Sequence, residues 1–345
     1  MSVNECPVCG GNCIKDAEML IGEAEKLFLP CSDCIGIPVD KNLPPPGLPP
    51  SEPCPSCGKR FIDDVFSHCY AIMAEEGVIR TDTPLGGIGT PLISPGINLS
   101  SPPFLPRNSL VLQTRYVDKK TAERLVVEVP EIKGVIRDRG IVPGISGEDL
   151  SSSSENELLA GCDVRADIFR TSSGPFAVYK QQSLLHIEFP RSAYPKIRSV
   201  EKMIDKSRPG VFIDACCGAG TLGIAALLAG VPSVVFNDAW YPAVFWSSVN
   251  IHVNRNLTGT GDVVFAGDSC IKDRRISSEA VKIAESHDGD RDIFVLWGDY
   301  MNAGYFIPEG RRLAAIDVFG KEDRVKTTRI VSRWKAAFGG DAFIP

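Results

Sequence analysis

The sequence predicts an α/β protein, with a parallel-sheet core over residues 208–345, a β-rich region ahead of it and a small cysteine-rich module at the N-terminus. Three observations lead there. Short apolar segments alternate with helical patterns after residue 208, which is the signature of a parallel sheet with crossover helices. The first of those segments, Val211–Asp214, runs straight into a glycine-rich turn and a helix. Eight of the 12 cysteines fall within the first 69 residues.

The chain of 345 residues is long enough for about two domains and a substantial core. Its formal net charge is -6, but the charge is uneven. Residues 1–100 hold 6 Lys and Arg against 13 Asp and Glu, so the rest sums to +1. An acidic N-terminal module is a poor match for phosphate backbones and suits a protein-docking surface better. The most apolar stretch, Thr221–Phe236, is interrupted by Gly230 and Pro232 and is too short to span a bilayer. No secretory signal is read at the N-terminus, and a cytoplasmic location with no membrane partner is expected.

Residues 1–80 read as a zinc-binding module. Cys6-Pro-Val-Cys9, Cys31-Ser-Asp-Cys34 and Cys54-Pro-Ser-Cys57 are three C-x-x-C pairs, each able to aim two thiolates at one ion from a tight turn. Cys6, Cys9, Cys31 and Cys34 have ribbon-like spacing and are expected to form a first structural Zn2+ site. Cys54, Cys57 and Cys69 form a second, with Cys13 or His68 as its fourth ligand. Helices are expected over Ala17–Phe28 and Phe61–Glu76.

Residues 81–156 read as linker with a short strand pair, Ser109–Val117 and Arg124–Val129, joined by a charged turn at Asp118–Thr121. Residues 157–207 are β-rich and lead into the core, with strands expected over Asp163–Arg170, Phe176–Lys180 and Leu184–Phe189. Ser199–Lys206 reads as a helix stopping before Pro209. Near the C-terminus, Asp323–Phe338 reads as another.

Within the core, Gly218-x-Gly220-x-x-Gly223 opens a helix after an apolar strand, the crude form of a dinucleotide fingerprint. Three acids at strand ends point elsewhere. Asp214 stands four residues before Gly218, Asp238 ends the segment Ser233–Asn237, and Asp268 ends Val263–Gly267. An acid about 20 residues past the turn can bind ribose hydroxyls, but a nicotinamide cofactor needs no acid at 214 or 268.

Residues 211–272 resemble the Rossmann-like core of class I S-adenosylmethionine-dependent methyltransferases. The similarity is carried by Ile213-Asp-Ala-Cys-Cys-Gly-Ala-Gly-Thr-Leu-Gly-Ile-Ala-Ala and Asn237-Asp-Ala-Trp-Tyr-Pro-Ala, and is greatest to enzymes that methylate tRNA guanine or ribosomal proteins. The resemblance continues loosely through Asp292–Trp297 as a fourth strand and 308–317 as a fifth. It implies S-adenosylmethionine as cofactor, with Asp214, Gly218 and Gly220 at its methionine end, Asp238 at the ribose and Asp268 at the adenine.

One part of the family pattern is missing. Members that act on exocyclic amines or amides often carry (D/N/S)-P-P-(Y/F) after the fourth strand, whereas Leu296-Trp297-Gly298-Asp299-Tyr300 follows here, which leaves Asp299 and Tyr300 as candidate catalytic residues. The two-strand hairpin that closes such domains is not read either. A methyltransferase acting on RNA or protein is therefore expected, the alternative being a non-catalytic zinc-ribbon adaptor with a degenerate cofactor domain.

Overall fold

The computed structural model describes residues 5–47, 51–146, 150, 152–266 and 276–345. The N-terminal segment carries α1 (Ala17–Leu27), then β1 (Arg60–Phe61) and α2 (Ile62–Glu75), close to the expected helix bounds. Next come β2 (Thr90–Ile93), β3 (Phe104–Leu105), β4 (Leu110–Thr114), α3 (Lys119–Glu128) and β5 (Ile132–Arg137).

The strand expected at Arg124–Val129 is therefore helical. Asp118 accepts a hydrogen bond from Thr121 N at 2.8 Å and caps α3, whose Thr121, Ala122 and Leu125 are buried on one face. The β-branched content of Leu-Val-Val-Glu-Val misled the local reading, because cap and face outweigh propensity.

A pair of short strands, β6 (Gly144–Ser146) and β7 (Ser152–Ser154), precedes β8 (Glu157–Gly161). The region expected to be mostly linker thus supplies a four-stranded sheet in the order β2-β4-β5-β8, with β4 and β5 parallel across α3. Arg60 and Glu131 form a two-pronged ion pair beneath it, both side chains almost fully buried. Removing one partner would strand a charge in the core.

β9 (Val164–Thr171) and β10 (Gly174–Gln181) make an antiparallel hairpin as expected, while Leu184–Phe189 is irregular rather than a strand. After α4 (Pro195–Ser207) the core begins with β11 (Val211–Asp214), α5 (Thr221–Leu228), β12 (Ser233–Asp238), α6 (Tyr241–Val253) and the one-turn α7 (Arg255–Thr258). It continues through β13 (Val264–Phe265), β14 (Val281–Asp288), β15 (Arg291–Trp297), β16 (Arg312–Ala315), α8 (Arg324–Phe338) and β17 (Asp341–Phe343).

These strands form one seven-stranded sheet in the order β13-β14-β15-β12-β11-β16-β17. β15, β12, β11, β16 and β17 are parallel, and β13 and β14 add an antiparallel edge beside β15. The fold is Rossmann-like. The sequence order of strands 11, 12 and 15 runs one way from the centre, and 16 and 17 run the other. The direction therefore switches between β11 and β16, where open α/β sheets bind ligands.

The hairpin docks on this core through two asparagines one helical turn apart on α6. Asn250 accepts from Tyr179 N at 2.7 Å and donates to Tyr179 O at 2.7 Å, while Asn254 does the same for Ala177 at 3.0 and 2.7 Å. Each side-chain amide satisfies a backbone pair on the edge of β10, as a neighbouring strand would. No helix among the described residues is long and apolar enough to cross a membrane.

Candidate active site

All four residues of β11 are buried, and the turn that follows bends through Gly218 and Gly220 at φ of +52° and +89°. Those are left-handed values that glycine adopts without a steric cost. Gly223 serves packing, since a Cβ there would come within 2.2 Å of the Phe236 ring. Asp214 is fully buried behind the turn and accepts from Gly223 N at 2.8 Å, at the N-terminus of α5. Its other oxygen, Oδ1, has no hydrogen-bond partner among the described residues, and burial pushes its carboxyl up to about 8.

Asp238, at the end of β12, clamps the same turn. Its Oδ2 accepts from Gly218 N at 2.9 Å and its Oδ1 from Trp240 N at 2.9 Å. Burial pushes this carboxyl up, and the two amides pull it back. Beside it, Asn237 donates to Ala215 O at 3.1 Å and Gly298 O at 2.9 Å, which ties the ends of β11, β12 and β15 together. Trp297 donates to Ala239 O at 3.0 Å and packs edge-on against Tyr241.

A cavity of about 1050 Å³ opens above these strand ends. Its floor is Cys216–Ala219, Asp238–Trp240 and Gly298–Met301, and Asp317–Lys321 crosses it from the far side of the switch point. One wall is His186, Glu188 and Lys196; the other is the α8 face with Lys326, Arg329 and Arg333. Gly218, Asp238, Asp299 and Tyr300 of the expected site line the cavity, whereas Asp214 and Gly220 support it from behind. Asp268 lies outside the described residues.

The strand order changes which residues hold which place. β15 pairs with β12, with Asp238 opposite Trp297, while β16 pairs with β11 on the other side. In the doubly wound order 3-2-1-4-5, β15 is thus the third strand, β16 the fourth and β17 the fifth. The expected assignment of Asp292–Trp297 as fourth and 308–317 as fifth is corrected accordingly. It failed because Val263–Gly267 was taken as the strand before Asp292–Trp297, whereas Val264–Phe265 pairs antiparallel with β14 at the sheet edge. Asp299 now ends the third strand, and the segment after the fourth is Asp317-Val318-Phe319-Gly320. That segment has the acid of the family pattern but not its prolines.

Asp317 is an ion-paired acceptor. Lys196 Nζ lies 2.7 Å from its Oδ2, and Lys321 contacts its Oδ1. Lys196 also reaches to 3.6 Å from Glu188, which accepts from the Tyr194 hydroxyl at 2.8 Å and lies 3.8 Å from Lys180. Burial pushes the Glu188 carboxyl up, but His186, Lys180 and Lys196 together hold it well below the usual carboxylate range. Lys180 in turn pairs with Asp167 at 3.1 Å, and Asp167 with Arg165, all three fully buried. Alternating charges therefore run from the hairpin into the cavity. Cys216 and Cys217 are neutral, since burial and the nearby acids push both thiols far up.

Two further clusters bring four cysteines each within 4.8 Å of one another: Cys6, Cys9, Cys13 and Cys162, and Cys31, Cys34, Cys54 and Cys57. Neighbouring sulfurs lie 3.4–3.8 Å apart. A tetrahedron with zinc–sulfur bonds of about 2.3 Å has edges of about 3.8 Å, so both sets fit a closed Zn2+ site. The Cys6 and Cys54 turns are alike. Gly10 N donates to Cys6 O at 2.9 Å and Gly58 N to Cys54 O at 2.7 Å, with both glycines left-handed.

The pairing differs from the expected one. Cys31 and Cys34 meet Cys54 and Cys57, while Cys6, Cys9 and Cys13 meet Cys162 at the β8–β9 junction. Cys69 belongs to neither cluster; it sits in the core on α2, where burial pushes its thiol up to about 12. His68 Nδ1 lies 3.1 Å from Arg60 Nη1 and is not near a cluster. Cys162 lies 149 residues beyond Cys13, and no local spacing marks it. The only sequence signal was Cys13 left over beside a complete C-x-x-C pair.

No family model matches the chain, and no curated protein matches it. Solved structures do. The M. jannaschii tRNA m1G37 methyltransferase is similar at 15% identity and a TM-score of 0.35, over 78% of this chain and 61% of that one. P. horikoshii TYW2 in complex with MeSAdo gives 13% and 0.38, over 80% and 76%. Trm1 from Pyrococcus horikoshii with S-adenosyl-L-methionine gives 17% and 0.33, over 44% and 36%. The chain thus spans less than two thirds of the first and third of these.

Proposed function

We propose that this protein is an S-adenosylmethionine-dependent methyltransferase acting on a macromolecule, RNA ahead of protein. One observation carries the cofactor choice. A dinucleotide needs open backbone amides at the glycine turn and helix N-terminus for its pyrophosphate. Here Asp238 already takes Gly218 N and Asp214 takes Gly223 N. Those two amides are therefore not open to a diphosphate, and the Asp238 carboxylate suits a cofactor that has none and carries a sulfonium charge.

When bound, S-adenosylmethionine supplies an electrophilic methyl group. Asp238, whose oxygens each keep an acceptor position, holds the ribose hydroxyls. Asp299, at the end of the third strand, takes the adenine amino group in place of the expected Asp268. Asp317, fixed by Lys196 and Lys321, accepts hydrogen bonds from the substrate nitrogen and orients it for in-line attack. Tyr300, tilted against Trp334 with ring centroids 6.0 Å apart, forms part of the wall. The two cysteine clusters hold one structural Zn2+ each.

For the substrate, α8 carries five basic residues and no acidic one, and three of them line the cavity. A polyanion fits such a wall, and this favours RNA over protein. The adaptor reading rested on Trp297–Tyr300 standing in the substrate segment and on the unread terminal hairpin, and reassigning the segment removes the first of these supports. The test is transfer of labelled methyl groups from S-adenosylmethionine to total RNA and to total protein of the source cell. Label in RNA that falls away with Asp317→Ala supports the reading, and no label in either pool refutes it.

A further inference from the structure

We propose that His186, held by Glu188, accepts the proton released when a substrate nitrogen is methylated; this rests on the methyltransferase reading above. In that step the nitrogen lone pair forms the N–C bond, and the methyl–sulfur bond breaks with its electron pair left on sulfur. The nitrogen then carries an excess proton, which passes to an imidazole nitrogen of His186. Charge balances, because a sulfonium cation is replaced by an imidazolium.

The cavity's aspartates and thiols are committed. Asp238 is bound to two backbone amides and Asp299 caps Met301 N at 2.9 Å. Asp317 is neutralised by two lysines, and the paired thiols of Cys216 and Cys217 are held neutral. His186 is a third exposed on the cavity wall, and its ring meets Phe319 edge-on with centroids 6.2 Å apart. That places it beside the segment that carries Asp317.

Its Nε2 lies 3.5 Å from Glu188 Oε1, and no hydrogen bond to its Nδ1 occurs among the described residues. A carboxylate on one ring nitrogen fixes the tautomer and leaves the other lone pair free to take a proton. Glu188 and Asp238 act on this ring electrostatically, and Lys196, Asp317, Lys321, Lys326, Arg329 and Arg333 line the same cavity. Glu188 is itself anchored by Lys180, Lys196 and Tyr194, so it stays ionised and stabilises the imidazolium. Burying Arg165, Asp167 and Lys180 behind it is costly, and the chain of charges they make ends on this residue.

The test measures single-turnover methyl transfer against pH, with S-adenosylmethionine and RNA from cells in which the gene is deleted, beside calorimetric binding of S-adenosylmethionine. The full-length protein should show a rate that rises with pH through a single ionisation. His186→Gln should bind S-adenosylmethionine unchanged, lose that limb and slow at least about a hundredfold. Glu188→Gln should move the limb to lower pH, because the imidazolium loses its carboxylate. An unchanged profile in His186→Gln overturns the proposal while leaving the methyltransferase reading intact. Loss of cofactor binding in that variant also overturns it, by placing His186 in the cofactor cradle. Absence of transfer by the unaltered protein overturns both.

Discussion

Replacing Cys162 by serine separates the two ways of pairing the cysteines. Its sulfur lies 3.6 Å from that of Cys6 and 3.8 Å from that of Cys13, at the junction of β8 and β9. A hydroxyl in its place leaves three thiolates, and a closed zinc site becomes an open one. Zinc content after dialysis against a chelator should fall from two ions per chain to one, read by mass spectrometry. An ion held there would also tether the N-terminal segment to the hairpin across 156 residues of sequence. At free zinc about a thousandfold above its dissociation constant, the lost stabilisation is about 4 kcal/mol. At roughly 2–4 °C per kcal/mol, Tm should drop by about 10 °C. Cys69→Ser, which alters a buried thiol outside both clusters, should keep two ions. Two zincs in Cys162→Ser, or one in Cys69→Ser, would refute the pairing.

Other outcomes follow from the same geometry. Gly223→Ala drives a methyl into Phe236 and should cost about 1–3 kcal/mol in denaturant unfolding, with cofactor affinity following the folded fraction. Asp299→Ala should weaken S-adenosylmethionine binding while Asp317→Ala leaves it and removes turnover, which calorimetry paired with the transfer assay will show. The Asp214 carboxyl is raised to about 8 in the folded state, against about 3.9 unfolded, so the folded chain retains a proton that the unfolded chain releases. Its stabilising contribution is complete below about pH 4 and is lost as pH rises towards 8. Asp214→Asn should therefore flatten the fall of Tm between pH 5 and 8.

Local signals in the sequence were reliable where one element closed on itself. α1, α2 and α8 were legible from spacing, and the β11 turn with α5 from its glycines and flanking acid. Asp323 was included in the expected last helix and proves to be its cap, accepting from Val325 N and Lys326 N. What was lost required knowledge of the third dimension. The antiparallel edge of β13 and β14 displaces the count of parallel strands, so Asp299 leaves the substrate segment for the end of the third strand, and Asp317, read only as the end of a fifth strand, takes its place. Cys162 has no neighbour in sequence that marks it, and its role comes only from where the hairpin folds. His186 and Glu188 lie in a segment read as a strand. The structure leaves it irregular, with both side chains on the cavity wall.

The central claim is the cofactor, and the direct measurement is calorimetric titration of the zinc-loaded protein with S-adenosylmethionine and, separately, with NAD. Asp238→Ala removes two acceptors, each worth about 1.5–3 kcal/mol when charged, so it should weaken a ribose-bearing ligand at least about a hundredfold. Micromolar binding of S-adenosylmethionine, none of NAD, and loss of the former in Asp238→Ala is the predicted result. Binding of NAD in its place would contradict the account, since it requires the amides of Gly218 and Gly223 that the two aspartates occupy.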